Sequence, residues 1–147
     1  MVSESLTLPE PTGDASPVPT TGSILVVDDE PQLAELLAEL LAAAGHEVST
    51  AGGGEEALSL LGSGHWDLVL CDLRMPGMDG PTLYREVARR HAGMERRFVF
   101  LTGDTMSPDA RRFLEDSACP HLAKPFELAE VERAVALALG SGSPGEV

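Results

Sequence analysis

The sequence predicts an α/β fold around a parallel sheet. Three observations carry this reading. Strand-like and helix-like segments alternate five times, the strongest strand-like runs are continuously apolar, and the unusual polar residues fall at the ends of those runs. A continuously apolar strand has both faces covered, which is the mark of a parallel sheet with helices on each side.

The first run, Ser23 to Val27, is short, apolar and β-branched, and it ends at Asp28 and Asp29. Leu33, Leu36, Leu37, Leu40, Leu41 and Ala44 then recur at helical spacing until Gly45 stops the helix. His46 to Thr50 reads as a weaker strand, and Gly54 to Leu61 as a short helix. Trp66 to Cys71 is the second strong run and ends at Asp72. The segment 74–80, RMPGMDG, is a loop by its Pro and Gly content, and a helix follows over about Pro81 to His91. Phe98 to Leu101 is the third strong run, ending at Thr102. Ser107-Pro108-Asp109 has the order of an N-cap, a first-turn proline and an acidic first turn, so a helix starts there. A short strand at His121 to Ala123 leads to Lys124-Pro125, and the last helix covers about Glu127 to Leu139.

Outside these elements, residues 1–22 are rich in Pro, Ser, Thr and Gly and lack aromatic residues. Such a segment buries too little apolar surface to offset its ordering entropy, so it is expected to be a disordered tail. Residues 141–147 are expected to be a second flexible tail, leaving one domain over 23–140.

Composition narrows the function. The net charge is −14, and no Lys or Arg precedes Arg74, which argues against a grip on nucleic acid. No apolar run approaches the roughly 18 residues a membrane span needs, and no signal peptide opens the chain, so a cytoplasmic protein is expected. The two cysteines, Cys71 and Cys119, have neither metal-site spacing nor a His/Cys cluster around them. Nine of the ten basic residues are Arg, and the single lysine is Lys124. A lone lysine in an arginine-using chain hints that a compact ammonium is wanted there.

In open parallel sheets, ligands sit outside the carboxyl ends of the strands. Those ends carry Asp28 and Asp29, Asp72, Thr102 and Lys124. Each has an ordinary explanation alone: an N-cap pair, a strand-forming threonine, a loop lysine. None of these explains convergence. Three carboxylates brought together need a cation, and oxygen donors without His or Cys favour magnesium. A hydroxyl and an ammonium beside them suit a phosphoryl group.

At these residues the chain resembles the receiver domains of two-component response regulators. The motifs are ILVVDDEPQL at 24–33, DLVLCDLRMPGMDG at 67–80, FLTGD at 100–104 and HLAKPFEL at 121–128. The last two look most like receivers of hybrid histidine kinases or single-domain receivers. The resemblance implies a flavodoxin-like receiver fold, a five-stranded parallel sheet in the order 2-1-3-4-5 with helices on both faces. It implies that Asp72 is the phospho-acceptor, served by a partner sensor histidine kinase or phosphotransfer protein. Asp29, Asp72 and the Arg74 main-chain carbonyl would hold Mg2+ directly, with Asp28 helping through water. Thr102 and Lys124 would contact the phosphoryl oxygens, Gly103 would leave the pocket accessible, and the Lys124–Pro125 peptide would be cis.

His121 stands where the family usually carries a Tyr or Phe switch residue; two readings compete, rotation in that residue's place, which we favour, and a plain exposed residue. Arg74 and Asp104 are expected to border the pocket, either as an ion pair that slows loss of the phosphoryl group or as two solvated charges, since exposed pairs contribute little energy. No output domain is expected, so signalling would pass to a downstream protein through a face over 107–139, without nucleic acid or membrane. The chain would then be no enzyme beyond its own phosphorylation and dephosphorylation. The alternatives are an aspartyl-nucleophile phosphatase or phosphotransferase, disfavoured by Arg74 where such enzymes want an acid, and a degenerate receiver acting only as a docking module.

Overall fold

A computed structural model describes residues 21–103 and 107–140. The expected tails therefore lie outside the described residues, except for Thr21 and Gly22. Gly22 is tied into the fold: its N–H donates to His46 Nδ1 at 3.2 Å, and its carbonyl accepts from Glu47 N–H at 3.0 Å.

The elements alternate as predicted: β1 (Ser23–Val27), α1 (Pro31–Ala43), β2 (Glu47–Ala51), α2 (Gly54–Leu61), β3 (Leu68–Asp72), α3 (Gly80–Arg90), β4 (Phe98–Thr102), α4 (Pro108–Ser117), β5 (His121–Ala123) and α5 (Leu128–Gly140). The strands form one parallel sheet in the order β2-β1-β3-β4-β5.

Several boundaries differ from expectation for local reasons. Trp66 and Asp67 stay outside β3, because the Trp66 indole donates to Leu60 O at 3.0 Å and Asp67 turns its carboxylate onto Ser23. Helix α3 starts at Gly80, one residue early, because the Asp79 side chain accepts from Thr82 N–H. A 3₁₀ turn at Met94–Arg97 was not foreseen, since MERR has no apolar periodicity. Ser107 does cap α4, accepting from Ala110 N–H at 3.1 Å.

Strand alternation sorts the core into two layers. Leu25, Val27, Val69, Cys71, Phe98 and Phe100 face α2, α3 and α4, where Ala57, Leu61, Leu83, Val87 and Phe113 meet them. Ile24, Val26, Leu68, Leu70, Val99 and Leu101 face α1 and α5, through Leu37, Leu41, Val131 and Val135. The first layer contains an aromatic group in which Tyr84 packs edge-on against Phe98 and Phe113, with centroids 5.7 and 5.2 Å away. Truncating a fully buried Leu of either layer to Ala costs about 2–5 kcal/mol, so the sheet is a rigid platform for the residues at its ends. Among the described residues, no helix is long and apolar enough to cross a membrane.

Candidate functional site

The sheet order places β1, β3, β4 and β5 side by side, so their carboxyl ends open on one spot. Asp28 follows β1 directly and is fixed by its own backbone, its N–H donating to Ala51 O at 3.1 Å. Its side chain is buried, and Oδ1 accepts from Glu30 N–H at 2.9 Å. The second oxygen, Oδ2, is buried without a hydrogen-bond partner. Asp72 ends β3 and is also buried, whereas Asp29 is exposed.

One oxygen from each of Asp28, Asp29 and Asp72 lies within 4.8 Å of the others. Lys124 reaches over from the end of β5: Nζ is 3.4 Å from Asp72 Oδ1 and 3.9 Å from Asp28 Oδ2. Its backbone is locked to β4 by Lys124 N–H donating to Thr102 O at 2.7 Å, and the Lys124–Pro125 peptide is cis, as expected. Thr102 is fully buried, and its hydroxyl donates weakly to Leu122 O at 3.4 Å.

One ammonium cannot balance three carboxylates, and the electrostatics show it. Burial, reinforced by the Asp28 charge and only partly opposed by Lys124, pushes the Asp72 carboxyl up to about 6. Burial likewise raises Asp28, against the Glu30 N–H and Lys124, which favour its charged form. An orphaned buried oxygen, clustered carboxylates and an all-oxygen donor set fit a hard divalent cation of the magnesium type.

The remaining expected residues divide. Gly103 follows Thr102 directly and is half-buried. His121 is exposed on β5, opposite Phe100 in the register. Arg74 is exposed and lines a cavity of about 640 Å³ between α3 and α4, together with Asp79, Tyr84 and Phe113. Asp104 lies outside the described residues, and so does its expected pairing with Arg74. Cys71 is buried, as its apolar surroundings imply, and its thiol donates to Asp72 O at 3.2 Å. The groups that sequence reasoning missed are main-chain ones, the Glu30 N–H and the Leu122 carbonyl. A reading of side-chain types carries no signal for them.

Known proteins share this fold and sequence pattern. The family of response regulator receiver domains matches residues 24–136. The chain is 35% identical over 114 residues to sensor histidine kinase RcsC of Escherichia coli, covering 78% of this chain and 12% of that protein. It is 36% identical over 108 residues to the transcriptional regulatory protein DltR of Streptococcus agalactiae, covering 74% of this chain and 47% of DltR. The chain thus spans from about an eighth to about half the length of these relatives. Among solved structures, the response regulator TrrA of Thermotoga maritima, in complex with Mg2+ and BeF, is 36% identical with a TM-score of 0.68, covering 80% of this chain and 98% of that one. A receiver domain protein from Clostridium thermocellum is 28% identical with a TM-score of 0.73, covering 81% and 94%. The chain belongs to the response regulator receiver domains, the signalling modules of two-component systems.

Proposed function

We propose that this chain is a phosphorylation switch in which Asp72 accepts a phosphoryl group from a phosphohistidine on a sensor histidine kinase or phosphotransfer protein. The observation that carries this reading is the convergence of Asp28, Asp29 and Asp72 in one cluster with Lys124 against two of them. An Asp72 carboxylate oxygen attacks phosphorus, the P–O bond forms, and the P–N bond to the donor imidazole breaks. The imidazole leaves with the bonding electrons and is neutralised by a proton. Mg2+, held by Asp28, Asp29, Asp72 and the Arg74 carbonyl, would offset the charge of the phosphoryl oxygens. Lys124 supplies a fixed positive charge beside Asp72, and the Thr102 hydroxyl supplies a donor once it leaves Leu122 O. Gly103 leaves room for the incoming group.

The added charge, close to two negatives, recruits Lys124 and Thr102. This biases the strand-end loops and, through them, the face over 107–139 toward a downstream protein. His121 lies within that face and takes the switch position on β5. The chain does no chemistry on other substrates, and the domain occupies 23–140. The test is transfer from a phosphohistidine donor. The label should appear on this chain only with Mg2+ present and should be released by hydroxylamine, as an acyl phosphate is. A label stable to hydroxylamine would overturn the proposal.

A further inference from the structure

The loop that leaves Asp72 is held between two glycines. A Cβ on Gly80 would lie 2.9 Å from Asp72 O and 3.0 Å from Leu73 Cα. A Cβ on Gly54, the first residue of α2, would lie 2.5 Å from Met78 O and 2.8 Å from Met78 Cβ and Cγ. Contacts under 3.0 Å are essentially never seen around real Cβ atoms, and the nearest atom in each case is main-chain oxygen, which no side-chain rotation can move away. Gly54 is buried, so its bare Cα is a seat for Met78.

The rest of the loop is pinned in the same sense. Met75 is buried in the layer beneath α2 and α3, and Met78 packs against that layer. Gly77 turns the chain at φ 73°, and Gly80 N–H donates to Leu73 O at 3.0 Å. With Met75 sunk, Met78 seated on Gly54 and the loop ends closed by Gly80, residues 73–79 have little freedom to shift. Gly53, one residue before the seat, contrasts with it. Nothing lies within 4 Å of its would-be Cβ, and its backbone is extended at φ −177°.

We infer that Gly54 is a positioning residue for the cation site. By seating Met78, it holds loop 73–79 in the conformation that presents the Arg74 main-chain carbonyl to the cation. This rests on the reading of Asp28, Asp29, Asp72 and the Arg74 carbonyl as the cation's ligands. The seat is contributed by α2, which carries none of those ligands.

The test titrates Mg2+ calorimetrically into the full chain as wild type, Gly53→Ala and Gly54→Ala, with circular dichroism to confirm folding. The same proteins are phosphorylated by acetyl phosphate over a range of Mg2+. Gly53→Ala should match wild type. Gly54→Ala should weaken Mg2+ binding by about 10-fold, the size seen when a group supporting a metal ligand is disturbed. The Mg2+ needed for half-maximal phosphorylation should rise in parallel, with the maximal rate near that of wild type. Should Gly54→Ala fail to fold, Met78→Ala carries the test, because it removes the thioether from the seat and inserts nothing; it should also raise the Mg2+ requirement. A folded Gly54→Ala with wild-type Mg2+ affinity overturns the inference, as does an unchanged Met78→Ala where that variant is needed. A wild type that binds no Mg2+ defeats the ligand assignment beneath it, and the two failures are distinct.

Discussion

The two ends of the sheet use aspartate in opposite ways. At the amino end, Asp67 exchanges bonds with Ser23 in both directions, its Oδ2 accepting from Ser23 N–H at 2.8 Å and its own N–H donating to Ser23 O at 2.8 Å. His65 lies 2.9 Å from its Oδ1 and Arg97 3.7 Å. Burial works against the Asp67 charge, yet the Ser23 N–H, His65 and Arg97 together hold its carboxyl below the ordinary range. At the carboxyl end, Asp28 and Asp72 are buried with fewer donors, the Asp28 charge adds to the effect of burial on Asp72, and both are raised. A carboxylate satisfied by its own chain is a structural clasp, whereas carboxylates left short of donors await something from outside.

The contrast can be broken or sharpened by experiment. The largest effect should come from the cation: Mg2+ at about 100 times its dissociation constant should stabilise wild type by about 2.7 kcal/mol, measured by urea denaturation. A chain whose stability ignores Mg2+ would erase the distinction between the two ends. Next, without Mg2+ at pH 7.5, Asp72→Asn should stabilise the fold by about 1–3 kcal/mol, because it removes a charge that is costly in the folded state. Asp67→Ala should do the reverse. It strands the Ser23 N–H and should cost about 1–2 kcal/mol while leaving Mg2+ affinity unchanged.

The pH dependence should separate the two ends as well. Asp72, raised to about 6, binds more protons folded than unfolded. Metal-free stability should therefore fall as pH rises from about 4 to about 6, and Asp72→Asn should flatten that slope. Asp67 is lowered, so its contribution is complete above its unfolded value and is lost as pH falls below about 4. Asp67→Asn should remove that acid-side loss. The smallest effect is expected from His65→Ala, because the His65 side chain is 74% exposed and such pairs contribute less than about 1 kcal/mol.

The legibility of these features follows their physics. The alternation of elements and the sharing of strand-end residues were readable because periodicity and apolar runs are local, and because the ends of adjacent parallel strands must meet. Asp28, Asp29, Asp72 and Lys124 converge for that reason. The clasp at Asp67 was not readable. Its partners come from β1, from His65 nearby and from the turn at Met94–Arg97, whereas the sequence pattern places Asp67 inside a strand over Trp66 to Cys71. The seating of Met78 on Gly54 was hidden for a similar reason, since only packing distinguishes Gly54 from Gly53.

The central claim is that the carboxyl-end cluster makes Asp72 reactive toward phosphoryl groups. Intact mass spectrometry after incubation with acetyl phosphate and Mg2+ tests it most directly. Wild type should gain the mass of one phosphoryl group, while Asp72→Asn and the Mg2+-free sample should gain none. Equal gain in Asp72→Asn, or none in wild type, would contradict the account.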